Sequence, residues 1–416
     1  MTGSYSVDGH SQEPDRELDV LLRCVRARLV AEQNTDLAAL SKTDINWSRL
    51  ISLSSQHRIL PLAWLSLAEV CPDLVPAPFV RQFEQLYLHH KAHARNLFNV
   101  LVEIVNFIRS NGLTIVPFKG PLLSYLAYGD LSLRETRDLD VIVPASSVIK
   151  CARLLNELGF DHIRSSLYQE EFLNSQMNVS VEVHHRFTYS TLPNPRHTEN
   201  LLESTVDLNI EGNSFVSFTP EAVIMICCIN MAKDFLMVEQ HQVTRFACDM
   251  AALLRKFDHA RLENMIGEAK RQGLLNALMF SYEVMSRMLN INFRLLDTVK
   301  DTDNAGLHYV KDVPIFADER RKSYFSSFTR SILYQINLHD ERWRFLRGIP
   351  GIFRPRIVDY RLIRLPKGLR VLYYIISFLR MLIALCRGGP RSAFRAVHEE
   401  ADGADSTKFN ESETVR

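Results

Sequence analysis

The sequence predicts an α+β protein: a small mixed-sheet core flanked by helical regions on its N- and C-terminal sides. Three observations carry this. Apolar residues recur with helical periodicity over residues 16–110, and again over 219–340. Between these regions, short β-branched runs bounded by Gly and Pro read as strands at "LTIVPF", "LDVIVP" and "VSVEVHHRF". Two helix-patterned segments, "PLLSYLAYG" and "SSVIKCARLLNELGF", alternate with those strands. The expected organisation is a disordered tail over 1–15, a helical region over 16–110, an α/β core over 111–215, a helical domain over 216–340, a basic amphipathic segment over 341–395 and a disordered tail over 396–416. A chain of 416 residues with 46% hydrophobic content is long enough for such a multi-part core.

The elements follow in order. "DRELDVLLRCVRARL" places Leu18, Leu21, Leu22, Val25 and Leu29 on one helical face. "DINWSRLISLSSQHRILPLAWLSL" continues the helical pattern, with Asp44 as expected N-cap. "CPDLVPAPF" breaks it, and a long helix is expected from about 79 to 110, closed by Gly112. In the core, Pro121 suits the first turn of a short helix, Ser146 or Ser147 caps the next one, and Gly159 ends it. Thr219-Pro220-Glu221 opens the second helical region.

Composition narrows the function classes. The formal net charge of +1 favours neither a nucleic-acid binder nor an acidic-partner protein. Seven cysteines, with no CxxC and no zinc spacing, fit a reducing compartment, and adjacent Cys227 and Cys228 read as buried thiols. No secretory signal is read at the N-terminus and no uncharged apolar run of spanning length occurs, so the expected location is the cytoplasm. The segment 341–395 holds thirteen Lys or Arg against Glu341 and Asp359. It has three readings: packing on the core with arginines reaching solvent, lying on an anionic membrane surface through 369–391, or binding an acidic partner or nucleic acid. No specific nucleic-acid motif accompanies it.

Chemistry concentrates in "IVPFKGPLLSYLAYGDLSLRETRDLDVIVP". With 48 acids in 416 residues, roughly five Asp/Glu-x-Asp/Glu pairs arise by chance, so the pair Asp138 and Asp140 needs context. Strand alternation supplies it. Asp138 and Asp140 project to one face while Leu139, Val141 and Val143 project to the other. Adjacent carboxylates are unfavourable unless a cation screens them, and oxygen donors suit Mg²⁺. Glu182 in "SVEVH" offers a third acid from a neighbouring strand, with Glu170 and Glu171 as substitutes. His184 shares its face and reads either as a residue behind the site or as a structural histidine. The "FKGP" turn adds an anion cradle: Lys119, Gly120 for close backbone approach, and the free N–H groups of a helix beginning at Pro121. Arg134 and Arg137 add guanidinium groups for phosphate. His89, His90 and His93 read as a solvated face, and Asp249 as either a partnered buried acid or a groove-lining one.

These motifs, from "FKGPLLSYLAYGDLSLRETRDLDVIV" to "VEVHHRF", resemble the bacterial Lys-Gly/Asp-x-Asp nucleotidyltransferase family within the DNA polymerase beta-like nucleotidyltransferase superfamily. The flanks "WSRLISLSSQHRILPLAW" and "FACDMAALL" are similar to that family's helical segments. The resemblance implies a polymerase beta-like core and two-metal transfer of a nucleoside monophosphate from an NTP to a hydroxyl acceptor. It implies that Asp138 and Asp140 hold Mg²⁺ (or Mn²⁺), that Glu182 shares one metal and helps activate the acceptor hydroxyl, and that Lys119 and Gly120 stand at the triphosphate. The acceptor class is left open: a protein side chain, an RNA end or a small molecule. The chain departs from the superfamily in having Pro after Gly120 and 18 positions between Gly120 and Asp138. That departure motivates the alternative, an inactive binding or scaffold protein of the same fold.

Overall fold

Strand β2 (Asp138–Ile142) forms because Leu139, Val141 and Ile142 are stiff or bulky apolar residues that gain by burial on a pleated surface. It sits second in a five-stranded sheet of order β1-β2-β5-β4-β3. The other strands are β1 (Val116–Pro117), β3 (Asp161–Ser165), β4 (Gln169–Asn174) and β5 (Val179–His184). β2 and β5 run parallel and the remaining pairs are antiparallel, so the sheet is mixed. The molecule is described by a computed structural model, which covers residues 16–30, 37, 45–196, 204–236, 240–293, 328–352, 365–366, 369 and 371–379. The two expected tails, Asp44, Cys386 and most of 353–395 lie outside the described residues.

Helices precede the sheet: α1 (Arg16–Leu29), α2 (Trp47–Gln56), α3 (Leu60–Val70) and the 34-residue α4 (Ala77–Ser110). All five residues expected on the buried face of α1 are buried. Asn46 caps α2, its side chain accepting from the Arg49 N–H. The expected Pro-rich break is a single 3₁₀ turn over 72–74, and α4 ends with Gly112 at φ 68°. Within the sheet unit, α5 (Gly120–Tyr128) carries Pro121 in its first turn, and α6 (Val148–Glu157) follows β2. Neither Ser146 nor Ser147 makes a capping side-chain bond to α6.

Two elements went unread in the sequence. Strands β3 and β4 are one, and the hairpin of β6 (Thr205–Ile210) and β7 (Asn213–Phe218) is the other. The hairpin turns at Glu211-Gly212, both with positive φ, the conformation a tight two-residue turn needs. The second helical region contains α7 (Pro220–Leu236), α8 (Gln240–Leu254), α9 (His259–Gln272) and α10 (Leu275–Leu289), then α11 (Phe328–Leu338) and α12 (Trp343–Ile352). Tyr334 of α11 ties this region together by donating to the Ala232 carbonyl at 2.8 Å.

The sheet separates two apolar cores. Leu139, Val141, Val143, Val181 and Val183 point into one, closed by α4 and α6. Ile142, Phe118 and Phe187 belong to the other, which is continuous with α1, α3 and α7–α10. The alternate residues of β2 and β5, including their acids, therefore face the second helical region rather than bulk water.

Candidate active site

The parallel register of β2 and β5 sets the site. Asp140 lies opposite Glu182 and Asp138 opposite Ser180. Adjacent strands lie about 4.8 Å apart, so same-face side chains at paired positions are neighbours. The donor atoms of Asp140, Glu182 and His184 all lie within 4.8 Å of one another. Asp138 is on the same face but outside that group. Thus the structure brings together two of the three expected acids and draws in His184, whose Nε2 is 3.1 Å from Asp140 Oδ1 and 3.3 Å from Glu182 Oε2.

Lys119 completes the cluster, with Nζ 2.6 Å from Asp140 Oδ1. Burial opposes the charged form of Asp140, but Lys119 and His184 outweigh it and hold its carboxyl well below the usual range. Asp138 behaves oppositely. Burial, then repulsion from Asp140 and Glu182, pushes its pKa up to about 6 against the pull of Lys119 and Arg245. Two neighbouring carboxylates are thus shifted in opposite directions, the pattern expected where one has a cationic partner and the other is left among like charges. The donor set of carboxylates and one imidazole fits a divalent cation.

The phosphate-side expectations divide. Gly120 has φ 61°, which favours glycine, and a Cβ there would stand 3.5 Å from the Asp138 carbonyl oxygen. The N-terminus of α5 therefore abuts the start of β2. Arg137 is exposed at the same edge. Arg134 is elsewhere in role: it is 2% exposed, and its Nε donates to Asp249 Oδ2 at 2.7 Å. Asp249 also accepts from Tyr128 Oη at 2.9 Å, so it is a buried, partnered acid. This pair clamps the loop between α5 and β2 onto α8. Ser124 Oγ strengthens the clamp, donating to the Asp130 carbonyl and accepting from the Arg134 N–H.

Other candidates have partners of their own. Glu170 bonds His162 and Glu171 pairs with Arg164, so neither substitutes for Glu182. The solvated face expected of the α4 histidines holds only for His89. His90 is half-buried against the Ser132 carbonyl at 2.8 Å, and burial lowers its pKa to about 4. Cys227 and Cys228 are buried, and the six described cysteines are free thiols.

Three basic residues near the site were not read in the sequence. Arg58, in the α2–α3 turn, and Arg245, on α8, both interact electrostatically with Asp138. Burial, reinforced by Arg134 and Arg58, lowers Arg245 to about 9, which leaves it charged at neutral pH. Lys233 on α7 lies within the field of Glu182. The available signal was Arg245 and Asp249 four residues apart in the apolar run "RFACDMAALL", since charges buried on a helix require partners.

A family of uncharacterised nucleotidyltransferases matches residues 43–290, more than half of the chain. No curated protein and no solved structure matches it significantly.

Proposed function

The chain belongs to this family of uncharacterised nucleotidyltransferases, and from that premise we propose that it transfers a nucleoside monophosphate from an NTP to a hydroxyl acceptor. The observation that carries the reading is the pairing of Asp140 with Glu182 across β2 and β5, with Asp138 on the same face beside the N-terminus of α5. Asp138, Asp140 and Glu182 would hold Mg²⁺ or Mn²⁺, with His184 orienting Asp140 and Glu182 through its Nε2. Such a cation, or a pair of them, supplies electrophilic stabilisation to the reacting phosphoryl group.

The remaining chemistry falls to the chain itself. The acceptor oxygen forms a bond to the α-phosphorus, the bond from that phosphorus to the β-phosphate oxygen breaks, and pyrophosphate leaves. The hydroxyl proton passes to a carboxylate, for which Glu182 is the best placed because it is the most open of the clustered donors. Lys119, Gly120 and Arg137 receive the triphosphate, and Arg134 positions their loop through Asp249. The catalytic core spans 111–215 and the helical regions on each side shape the acceptor site. Free thiols throughout the described chain support a cytoplasmic location.

The test is transfer of label from each of the four α-labelled NTPs, with Mg²⁺ or Mn²⁺ and a cell extract, by wild type and by Asp138→Asn/Asp140→Asn. Label on a product with wild type alone supports the reading and identifies the acceptor class. No nucleotide bound and no difference between the proteins would sink it.

A second reading concerns the C-terminal segment and is compatible with the first. Residues 372–379 are helical, and Val371, Tyr374, Ile375 and Leu379 are each at least half exposed, within a segment of thirteen Lys or Arg against two acids. Exposed apolar side chains amid basic ones match an anionic membrane surface. No helix among the described residues is long and apolar enough to cross a membrane. Flotation with phosphatidylserine vesicles tests the reading, and equal binding after deletion of 369–395 would dispose of it.

A further inference from the structure

Three separate parts of the chain are tied together beside Asp138. Buried His57 Nδ1 lies 2.8 Å from Thr244 Oγ1, fixing the α2–α3 turn to α8. The Leu60 N–H donates to Glu135 Oε1 at 3.3 Å, fixing the same turn to the loop before β2. Arg245 Nη1 donates to the Glu135 carbonyl at 2.9 Å, fixing α8 to that loop. The turn itself is strained: Arg58 has φ 54°, a left-handed conformation that costs a non-glycine residue about 1 kcal/mol or more.

What the three ties bring together is positive charge. Arg58 is repelled by Arg137 and Arg134, and Arg245 by Arg134 and Arg58; Asp138 attracts Arg58 and Arg245, Asp249 attracts Arg245, and Glu135 lies within the field of all three. Among the described residues no carboxylate lies in ion-pair contact with any of the three. Arg245 is 8% exposed, and its Nε is buried with no hydrogen-bond partner. A buried guanidinium with an unused donor, held beside other cations and without a contact carboxylate, has donor capacity left for an anion. The buried N-terminus of α5 packs against the same edge at Gly120.

We propose that Arg58, Arg137 and Arg245 bind the β- and γ-phosphates of the incoming nucleotide and so hold the pyrophosphate leaving group. The inference rests on the nucleotidyltransferase reading and adds a division of labour to it. Lys119 meets the triphosphate from the Asp140 side, while the arginines meet it from the Asp138 side and carry its β- and γ-phosphates. Planar guanidinium groups bond phosphate oxygens two at a time, which suits a multiply charged chain of phosphates better than single ammonium groups do. Because Arg58 comes from the N-terminal helical region and Arg245 from the second one, the nucleotide links both regions to the core.

Calorimetry on the full chain tests this, using the four Mg²⁺–NTPs, their monophosphates and Mg²⁺–tripolyphosphate with wild type, Arg58→Ala and Arg245→Lys. Arg58 is half-buried, so its variant keeps the test valid if Arg245→Lys fails to fold, and thermal melting verifies each fold. Each substitution is expected to weaken NTP and tripolyphosphate binding roughly 10- to 100-fold, the loss of one charge-assisted contact, while monophosphate affinity stays level. Folded variants that bind NTP and tripolyphosphate as wild type does would overturn the arginine assignment and leave the transferase reading standing. A wild type that binds neither would overturn both.

Discussion

Lys119 Nζ lies 2.6 Å from Asp140 Oδ1, so the lysine of the α5 turn occupies the most central carboxylate of the acidic cluster. A buried ammonium there does what a cation would do: it cancels charge that Glu182 and Asp138 otherwise leave uncompensated.

Lysine and divalent cation therefore compete for Asp140. Lys119→Met is expected to raise Mg²⁺ affinity on the order of tenfold, because the carboxylates lose their internal counter-charge. The same variant is expected to lose transfer activity, since the charge aimed at phosphate goes with it. Calorimetric titration with Mg²⁺ measures the first effect, and unchanged or weaker binding contradicts the competition.

Asp138 makes the metal-free protein less stable as pH rises. Its pKa is about 6 in the fold against 3.8 unfolded, so between these values the folded state holds a proton that the unfolded state releases. The stabilisation is full below about pH 4 and is lost as pH rises through 6. Asp138→Asn keeps the neutral form at every pH. In chelator at pH 7.5 the variant is expected to be roughly 1–2 kcal/mol more stable, less than the full shift implies because the side chain retains some solvent. The difference should vanish near pH 4. Thermal melting across that range decides, and a variant less stable than wild type at pH 7.5 contradicts the assignment.

The buried Arg134–Asp249 pair is a stability element. Arg134→Met leaves Asp249 buried with Tyr128 as its hydrogen-bond partner and without its ion pair, and is expected to cost about 3–5 kcal/mol. Arg134→Met/Asp249→Leu removes both charges and should recover most of that loss. Urea unfolding measures both, and a double variant no better than the single one argues against an ion-pair role.

The sheet core was largely legible in the sequence because β2 and β5 are the strands with one fully apolar face. Val179, Val181 and Val183 alternate with Ser180, Glu182 and His184, and period-2 alternation fixes facing without any knowledge of the partner strand. Strands β3 and β4 were not legible. "DHIRS" and "QEEFLN" are polar, half-exposed segments whose extended state comes from pairing with each other and with β5. The same limit applies to the site. Asp140 beside Glu182 follows from local alternation plus one pairing. Arg58, Arg245 and the inward burial of Arg134 depend on how α2, α3 and α8 pack on the core, and no local pattern encodes that. Arg134 and Arg137 look equivalent in "RETR", and the separation between them is made by Asp249, 115 residues downstream of Arg134.

The central claim is that the acids of β2 and β5 form one divalent-cation site. Mn²⁺ titration followed by electron paramagnetic resonance tests it most directly, comparing wild type with Asp140→Asn/Glu182→Gln. Saturable binding by wild type that is lost or at least tenfold weaker in the variant is the predicted result. Mn²⁺ binding that is absent from wild type, or the same in both proteins, would contradict it.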